Sequence, residues 1–247
     1  MGSAIAGGLS SASDIALTVS NPSTSKLDAL KAVHPAVNVT TDNREAAKWG
    51  DVVVLAVKPW LMQQVVEEIK PVLQPDRQQL VSIAAGIGTA QINAWLDEIT
   101  MPVYYIIPNT AIRIGCSMTF VSPSNATESD VEKVVSVFGR LGKVMLVDEK
   151  QIPACMALAS CGIAYAMRYV RANMLGAVEL GLKPAVAQEI VGQTMIGAAQ
   201  LLAAPDSHPE TEIDKVTTPG GLTIKGVNTL EENGFTTAVI KALKASL

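Results

Sequence analysis

Short β-prone runs alternate with helix-period segments as far as Asp148, and no further. Ile15–Val19, Val37–Thr40, Asp51–Val57, Leu80–Ala84, Val103–Ile107, Met118–Val121 and Val144–Val147 read as strands. Glu45–Trp49, Trp60–Val72, Thr89–Leu96 and Glu128–Leu141 read as the helices between them. Val65, Val66, Ile69 and Val72 mark the buried side of one, and Val131, Val134, Val135 and Phe138 that of another. The connections are short, and strands alternating with helices on short connections predict a doubly wound parallel α/β sheet. After Asp148 the strand signal stops. Gln151–Ser160, Ala164–Leu180, Pro184–Ala203 and Thr236–Ala245 are all helical in period, with a break at Ser160-Cys161-Gly162. This change of texture predicts two domains, 1–149 and 150–247, the second all-helical.

Composition narrows the partners. Apolar residues are 49% of 247, enough for a substantial core, and net charge is −4 with no basic block, which argues against nucleic acid. Three cysteines without ligand spacing and two histidines argue against a metal site or a disulfide framework and fit a reducing, cytoplasmic setting. The N-terminus shows no charged segment followed by an apolar run, so no signal peptide is read. Ile152–Leu180 is apolar, but Arg168, Arg171 and Glu179 interrupt it, which favours a buried or oligomer-forming helix over a membrane span.

In an open α/β sheet, ligands bind beyond the carboxyl ends of the strands. Those ends are Ser20-Asn21, Ala56-Val57-Lys58-Pro59, Ala85-Gly86 and Pro108-Asn109-Thr110. Ser20 and Asn21 stand where an acid would select NAD by bonding the ribose 2′-hydroxyl. Without that acid NADP is favoured; the nearest cation in sequence is Lys26, and NAD remains the alternative. Asn109 offers a side-chain amide near the nicotinamide position, or serves as an Asx turn. In the helical part, Asp214–Gly226 reads D-K-V-T-T-P-G-G-L-T-I-K-G. Pro219, Gly220 and Gly221 make a turn, and Ile224, Val227 and Leu230 recur at helical spacing beyond it. Free N–H groups at such a helix start suit a carboxylate.

The block V-T-T-P-G-G-L-T-I-K-G-V-N-T-L-E-E-N-G resembles the substrate-binding signature of the pyrroline-5-carboxylate reductases, with Thr218 and Leu222 departing from the usual serine and threonine. V-V-V-L-A-V-K-P closely resembles a second family motif, and Ser82 through Gly86, Pro108-Asn109-Thr110, Gln193-Thr194 and Gly197-Ala198-Ala199 fit others. Tyr105, Ile107 and Ala111 differ from the family pattern around Asn109, and Ala157–Tyr165 matches its motif only loosely. The resemblance aligns Met1 and Gly2 with the end of a Gly-x-Gly-Asn-Met-Gly fingerprint; a strand of about six residues and a first turn, about ten in all, would come before them.

The resemblance implies a Rossmann domain followed by a helical, dimer-forming domain. It implies NADP, with NAD as the alternative, along Met1, Gly2, Ser20, Asn21, Asn43, Ala56, Val57, Lys58, Pro59, Ala85, Gly86 and Asn109. The substrate is then a small carboxylate held by Pro219, Gly220, Gly221, Leu222 and Thr223, with the Thr223 hydroxyl on the ring nitrogen as the catalytic group. The implied reaction is reduction of L-1-pyrroline-5-carboxylate to L-proline. A protonated cyclic imine is already electrophilic, which suits a chain with no histidine near any motif. Two alternatives stand. A β-hydroxyacid or related imine reductase would carry a lysine on the inter-domain helix, and Ile152–Leu180 has none. A non-catalytic dinucleotide-binding or assembly protein of the same descent is the other. Ser160 and Cys161 have no histidine beside them to make a nucleophile.

Overall fold

A computed structural model describes every residue from Met1 to Leu247. Two compact units divide it, Met1–Ser160 and Cys161–Leu247. The boundary drawn from sequence texture falls earlier, where the β pattern ends.

The first unit opens with helix α1 (Gly2–Leu9), then alternates: β1 (Thr18–Ser20), α2 (Thr24–Val33), β2 (Asn38–Thr40), α3 (Asn43–Trp49), β3 (Val52–Leu55), α4 (Met62–Ile69), β4 (Gln79–Ser82), α5 (Thr89–Leu96) and β5 (Val103–Ile107). There follow β6 (Ser117–Ser124), α6 (Glu128–Gly139), β7 (Gly142–Leu146) and α7 (Ile152–Met156). The strands form two sheets. β1 and β2 pair in parallel, and the second sheet has the order β3-β4-β5-β6-β7. All its ladders are parallel except β5 with β6, which run antiparallel with Ile106 opposite Val121. That reversal was not visible in the sequence: the segment Asn109–Cys116 folds into a short 3-10 turn closed by Gly115 at φ 68°, short enough to send the chain back.

The core lies on both faces of this five-stranded sheet. Val66, Ile69, Leu80, Ile92 and Leu96 pack on one side; Ile5, Leu9, Val81, Tyr104, Val134 and Phe138 pack on the other. Covering both faces is what a largely parallel sheet requires. β1 to β4 are shorter than the runs expected for them, β5 matches, and β6 and β7 are longer. Ala56 and Val57 lie beyond β3 rather than in it, so they belong to the loop at its carboxyl end.

The second unit is helical: α8 (Gly162–Glu179), α9 (Pro184–Leu202), α10 (Pro209–Val216), α11 (Leu222–Glu232) and α12 (Phe235–Lys244). α10 carries little apolar pattern, and the sequence reading passed over it. The break expected at Ser160–Gly162 is instead a π turn at Ala157–Cys161, so helical bonding continues through it. Gly162 is tolerated because it opens α8 instead of interrupting it. The Tyr165 hydroxyl donates to the Ala242 carbonyl at 3.3 Å and ties α8 to α12. A cavity of about 260 Å³ lies between α8 and α9, lined by Tyr169, Asn173, Ile190 and Thr194 among others. α8, α10, α11 and α12 contain no fully buried residue, although Met167, Leu175, Leu230 and Ile240 are large and apolar. No helix is long and apolar enough to cross a membrane.

Candidate active site

α1 begins where the sequence places a phosphate-holding helix start. Its N-terminal residue Met1 supplies no side-chain cap. Gly2 approaches the loop after β3 so closely that a Cβ there would lie 3.0 Å from the Ala56 side chain. A larger residue there would need the Ala56 side chain to give by a few tenths of an ångström, so Gly2 lets α1 sit close against the loop after β3. Pro59 opens a 3-10 turn directly afterwards, and the Lys58 ammonium stands 5.9 Å from the Trp60 ring.

A second group forms at the ends of β1 and β2. The Ser20 hydroxyl donates to the Asn43 side-chain oxygen at 2.8 Å. Asn43 in turn donates through its amide to Glu68 at 2.9 Å. Asn21 accepts from the Ser23 N–H at 2.9 Å, an Asx turn that fixes the strand end. Asp42 caps α3 by accepting from the Arg44 and Glu45 N–H groups. Glu68 was missed in sequence: it lies on α4, distant along the chain, and nothing local marks it. No carboxylate stands on β1 itself, but Glu68 brings one to its neighbour.

The third group is the turn after β4. Gly86 has φ 82°, a conformation that favours glycine. Its N–H donates to the Tyr105 hydroxyl at 2.9 Å. Thr89 is the first residue of α5 rather than its cap. The cap is Gly88, and Glu149 performs the capping: its carboxylate accepts from the Thr89 N–H at 3.2 Å and from the Thr89 hydroxyl at 2.6 Å. Burial raises the Tyr105 pKa, the Gly86 N–H opposes this, and the Glu149 charge adds to the rise.

Asn109 is buried, and much of its amide is already engaged. Its oxygen accepts from the Ala111 N–H at 3.1 Å, and its nitrogen donates to the Ala159 carbonyl at 3.3 Å. It builds the turn after β5; one amide hydrogen is left for a ligand.

In the helical unit, Thr217, Thr218 and Pro219 lead into Gly220 at φ 69°. The Gly221 N–H donates back to the Thr218 carbonyl at 2.9 Å. A Cβ on Gly221 would lie 2.6 Å from the Thr218 hydroxyl oxygen, so the position admits only glycine. Gly221 is the N-cap of α11, and no side chain caps that helix. Leu222 and Thr223 form its exposed first turn. A helix start without a side-chain cap presents orphan N–H groups and the positive end of its dipole, a seat for an anion.

A largely parallel α/β sheet with a helix start seated close against it, followed by an all-helical domain, has the architecture of a Rossmann-type oxidoreductase. Residues 1–86 match the family model described as NADP oxidoreductase, coenzyme F420-dependent, and residues 149–247 match pyrroline-5-carboxylate reductase dimerisation. Pyrroline-5-carboxylate reductase 2 of Dictyostelium discoideum is 34% identical over 84% of this chain and 74% of its own length. The crystal structure of the Coxiella burnetii pyrroline-5-carboxylate reductase matches 99% of this chain and 91% of that one, at 31% identity and a TM-score of 0.90. The Plasmodium falciparum pyrroline carboxylate reductase, with NADP bound, matches 100% and 91% at 26% identity and a TM-score of 0.86. The chain belongs to the pyrroline-5-carboxylate reductase family.

Proposed function

We propose that the protein is an NADPH-dependent reductase that converts L-1-pyrroline-5-carboxylate to L-proline, a step of proline biosynthesis. The observation that carries this is the likeness along nearly the whole chain to reductases of that name, at 31% identity over 99% of it in one case. The family match over residues 149–247 supports a homo-oligomer, and the uncovered apolar faces of α8 to α12 support a homodimer as its basic unit. The absence of any spanning helix and of a disulfide agrees with a cytoplasmic enzyme.

The residues present fit a dinucleotide phosphate. The α1 start is uncapped and seated through Gly2 against Ala56. Ser20, Asn21, Asn43, Lys58 and Pro59 supply polar and backbone groups along strand ends, and Ala85, Gly86 and Asn109 do so nearer the ring. When bound, the reduced nicotinamide supplies a hydride. The protein then has three tasks: bind the carboxylate, orient the ring, and stabilise the nitrogen as it changes from imine to amine.

The Gly221 N–H is held by the Thr218 carbonyl, so the N–H groups of Gly220, Leu222 and Thr223 take the carboxylate, which the helix dipole also favours. Pro219 and the left-handed Gly220 set the turn, and Leu222 adds apolar surface beside it. The Thr223 hydroxyl bonds the ring nitrogen. The hydride adds to the imine carbon, the C=N bond becomes a single bond, and the nitrogen retains the proton of the iminium. A bond made more strongly to the developing amine lowers the barrier. Losing one such transition-state hydrogen bond costs about two to three orders of magnitude in rate. Thr223→Val is therefore expected to lower kcat/KM for pyrroline-5-carboxylate by about two orders of magnitude, with the NADPH Kd unchanged. Steady-state kinetics with direct titration of NADPH tests this. An unchanged kcat/KM removes Thr223 from the mechanism. Turnover absent in the wild type, despite tight NADPH binding, favours the non-catalytic alternative.

A further inference from the structure

Tyr105 is a departure from the family pattern, and the reaction as derived makes no use of it. It projects from β5 with only 6% of its surface exposed. Its hydroxyl is nevertheless committed: it accepts the Gly86 N–H at 2.9 Å. The same turn is held at its other end by Glu149, which takes both the N–H and the hydroxyl of Thr89. The Glu149 carboxylate lies so close to the Gly88 backbone that a Cβ there would collide with it. Two side chains distant in sequence, one from β5 and one from the segment after β7, thus hold the turn Ala85–Thr89 at both ends and leave Ala85 and Gly86 exposed. A turn with a left-handed glycine has many other conformations open to it. Tyr105 selects one, and the phenol proton remains free to donate.

We propose that Tyr105 is a positioning residue for the cofactor: by holding the Gly86 N–H, it fixes the turn Ala85–Gly86 in the shape that receives the nicotinamide half of NADPH. This rests on the reading of Ala85 and Gly86 as cofactor contacts. Tyr105 touches no substrate and takes no part in the chemistry. Its effect falls on the affinity for NADPH rather than on turnover once NADPH is bound.

The test compares Tyr105→Phe with Gly86→Ala. Tyr105→Phe removes one oxygen and keeps the packed ring; Gly86→Ala disturbs the turn directly, because alanine resists φ 82°. Kd for NADPH by fluorescence titration, KM for NADPH, KM for pyrroline-5-carboxylate, kcat and Tm are measured for each. For Tyr105→Phe the expected result is an increase in NADPH Kd and KM of about three- to tenfold, the size of one net hydrogen bond. Its kcat at saturating NADPH and its KM for pyrroline-5-carboxylate stay within about twofold of wild type, as a change in one cofactor bond requires. If Gly86→Ala weakens NADPH and Tyr105→Phe does not, the turn binds cofactor but Tyr105 does not position it, and the proposal fails. If neither variant changes NADPH affinity, the cofactor reading of Ala85–Gly86 fails and takes the proposal with it. A fall in kcat together with Tm in Tyr105→Phe identifies a general structural role and also overturns it. So does a Kd raised by Tyr105→Phe but untouched by Gly86→Ala, since Tyr105 then acts elsewhere.

Discussion

Glu68 stands outside every motif yet bonds Asn43, one of the proposed cofactor contacts. Ser20 bonds Asn43, and Asn43 bonds Glu68, so a formal negative charge stands two hydrogen bonds from the β1 end, where a ribose 2′-phosphate would lie. Glu68→Gln keeps an oxygen that accepts from Asn43 and removes the charge. NADPH is then expected to bind about threefold more tightly relative to NADH at low ionic strength, with the gain shrinking as salt rises. Paired titrations with both nucleotides check this; an unchanged ratio means the charge is not felt at the ribose. Residues of this kind mark the limit of sequence reading. Gly2, Gly220 and Gly221 were legible, because glycine in a motif states a backbone demand that the structure then displays as a close approach or a positive φ. Glu68, Tyr105 and Glu149 were not. Each acts on a partner far along the chain, and only the fold brings them together.

Among the elements, helices with long periodic patterns were read nearly to their ends. α5 has the span predicted for it, and α6 and α9 end within two residues of theirs. β5 has the span expected of it, β3 is shorter because its apolar run continues into the loop at Ala56–Val57, and β6 extends beyond its run at both ends. The antiparallel β6 escaped notice, since direction depends on turn length and not on side-chain pattern. Its junction with β7 is exacting. Gly142 has φ 139°, and a Cβ there would run into the backbone of Ser117, its ladder partner. Gly142→Ala is expected to lower Tm sharply or prevent folding, whereas Gly139→Ala, where a Cβ meets nothing, is nearly neutral. α6 carries a capping box, Thr127 to the Asp130 N–H and Asp130 back to the Thr127 N–H. Thr127→Ala should cost about 1 kcal/mol in a denaturant melt. The Thr127 bonds, foremost its hydroxyl, hold the Asp130 pKa below its usual value. A depressed carboxyl stabilises above its unfolded pKa, and that contribution is lost as pH falls through the folded one. The Tm difference between wild type and Asp130→Asn should therefore be steady at neutral pH and diminish on acidification below about pH 4.

At the scale of the molecule, each unit solves burial differently. Met1–Ser160 encloses its sheet with its own helices. Cys161–Leu247 leaves Ile190 52%, Ile196 53% and Ile240 48% exposed on helices that carry few charges, more apolar surface than a monomer keeps in water. Ile190→Glu on α9 is expected to lower the mass in light scattering from that of the homo-oligomer to that of one chain; an unchanged mass would place the interface on another face. The change of texture at Asp148 made this two-part design legible, because loss of the two-residue period is a property of the sequence itself. The substrate seat proposed in the helical unit was legible only through the turn at Pro219–Gly221.

The chain reduces a cyclic imine at the expense of NADPH, and the turn at Pro219–Thr223 is the seat proposed for its substrate. The measurement is proline formed per NADPH oxidised when the purified full chain is given pyrroline-5-carboxylate. One proline per NADPH in the wild type, at a rate about two orders of magnitude lower in Thr223→Val, is what the account predicts. NADPH bound but not consumed by the wild type, or consumed equally fast by Thr223→Val, would contradict it.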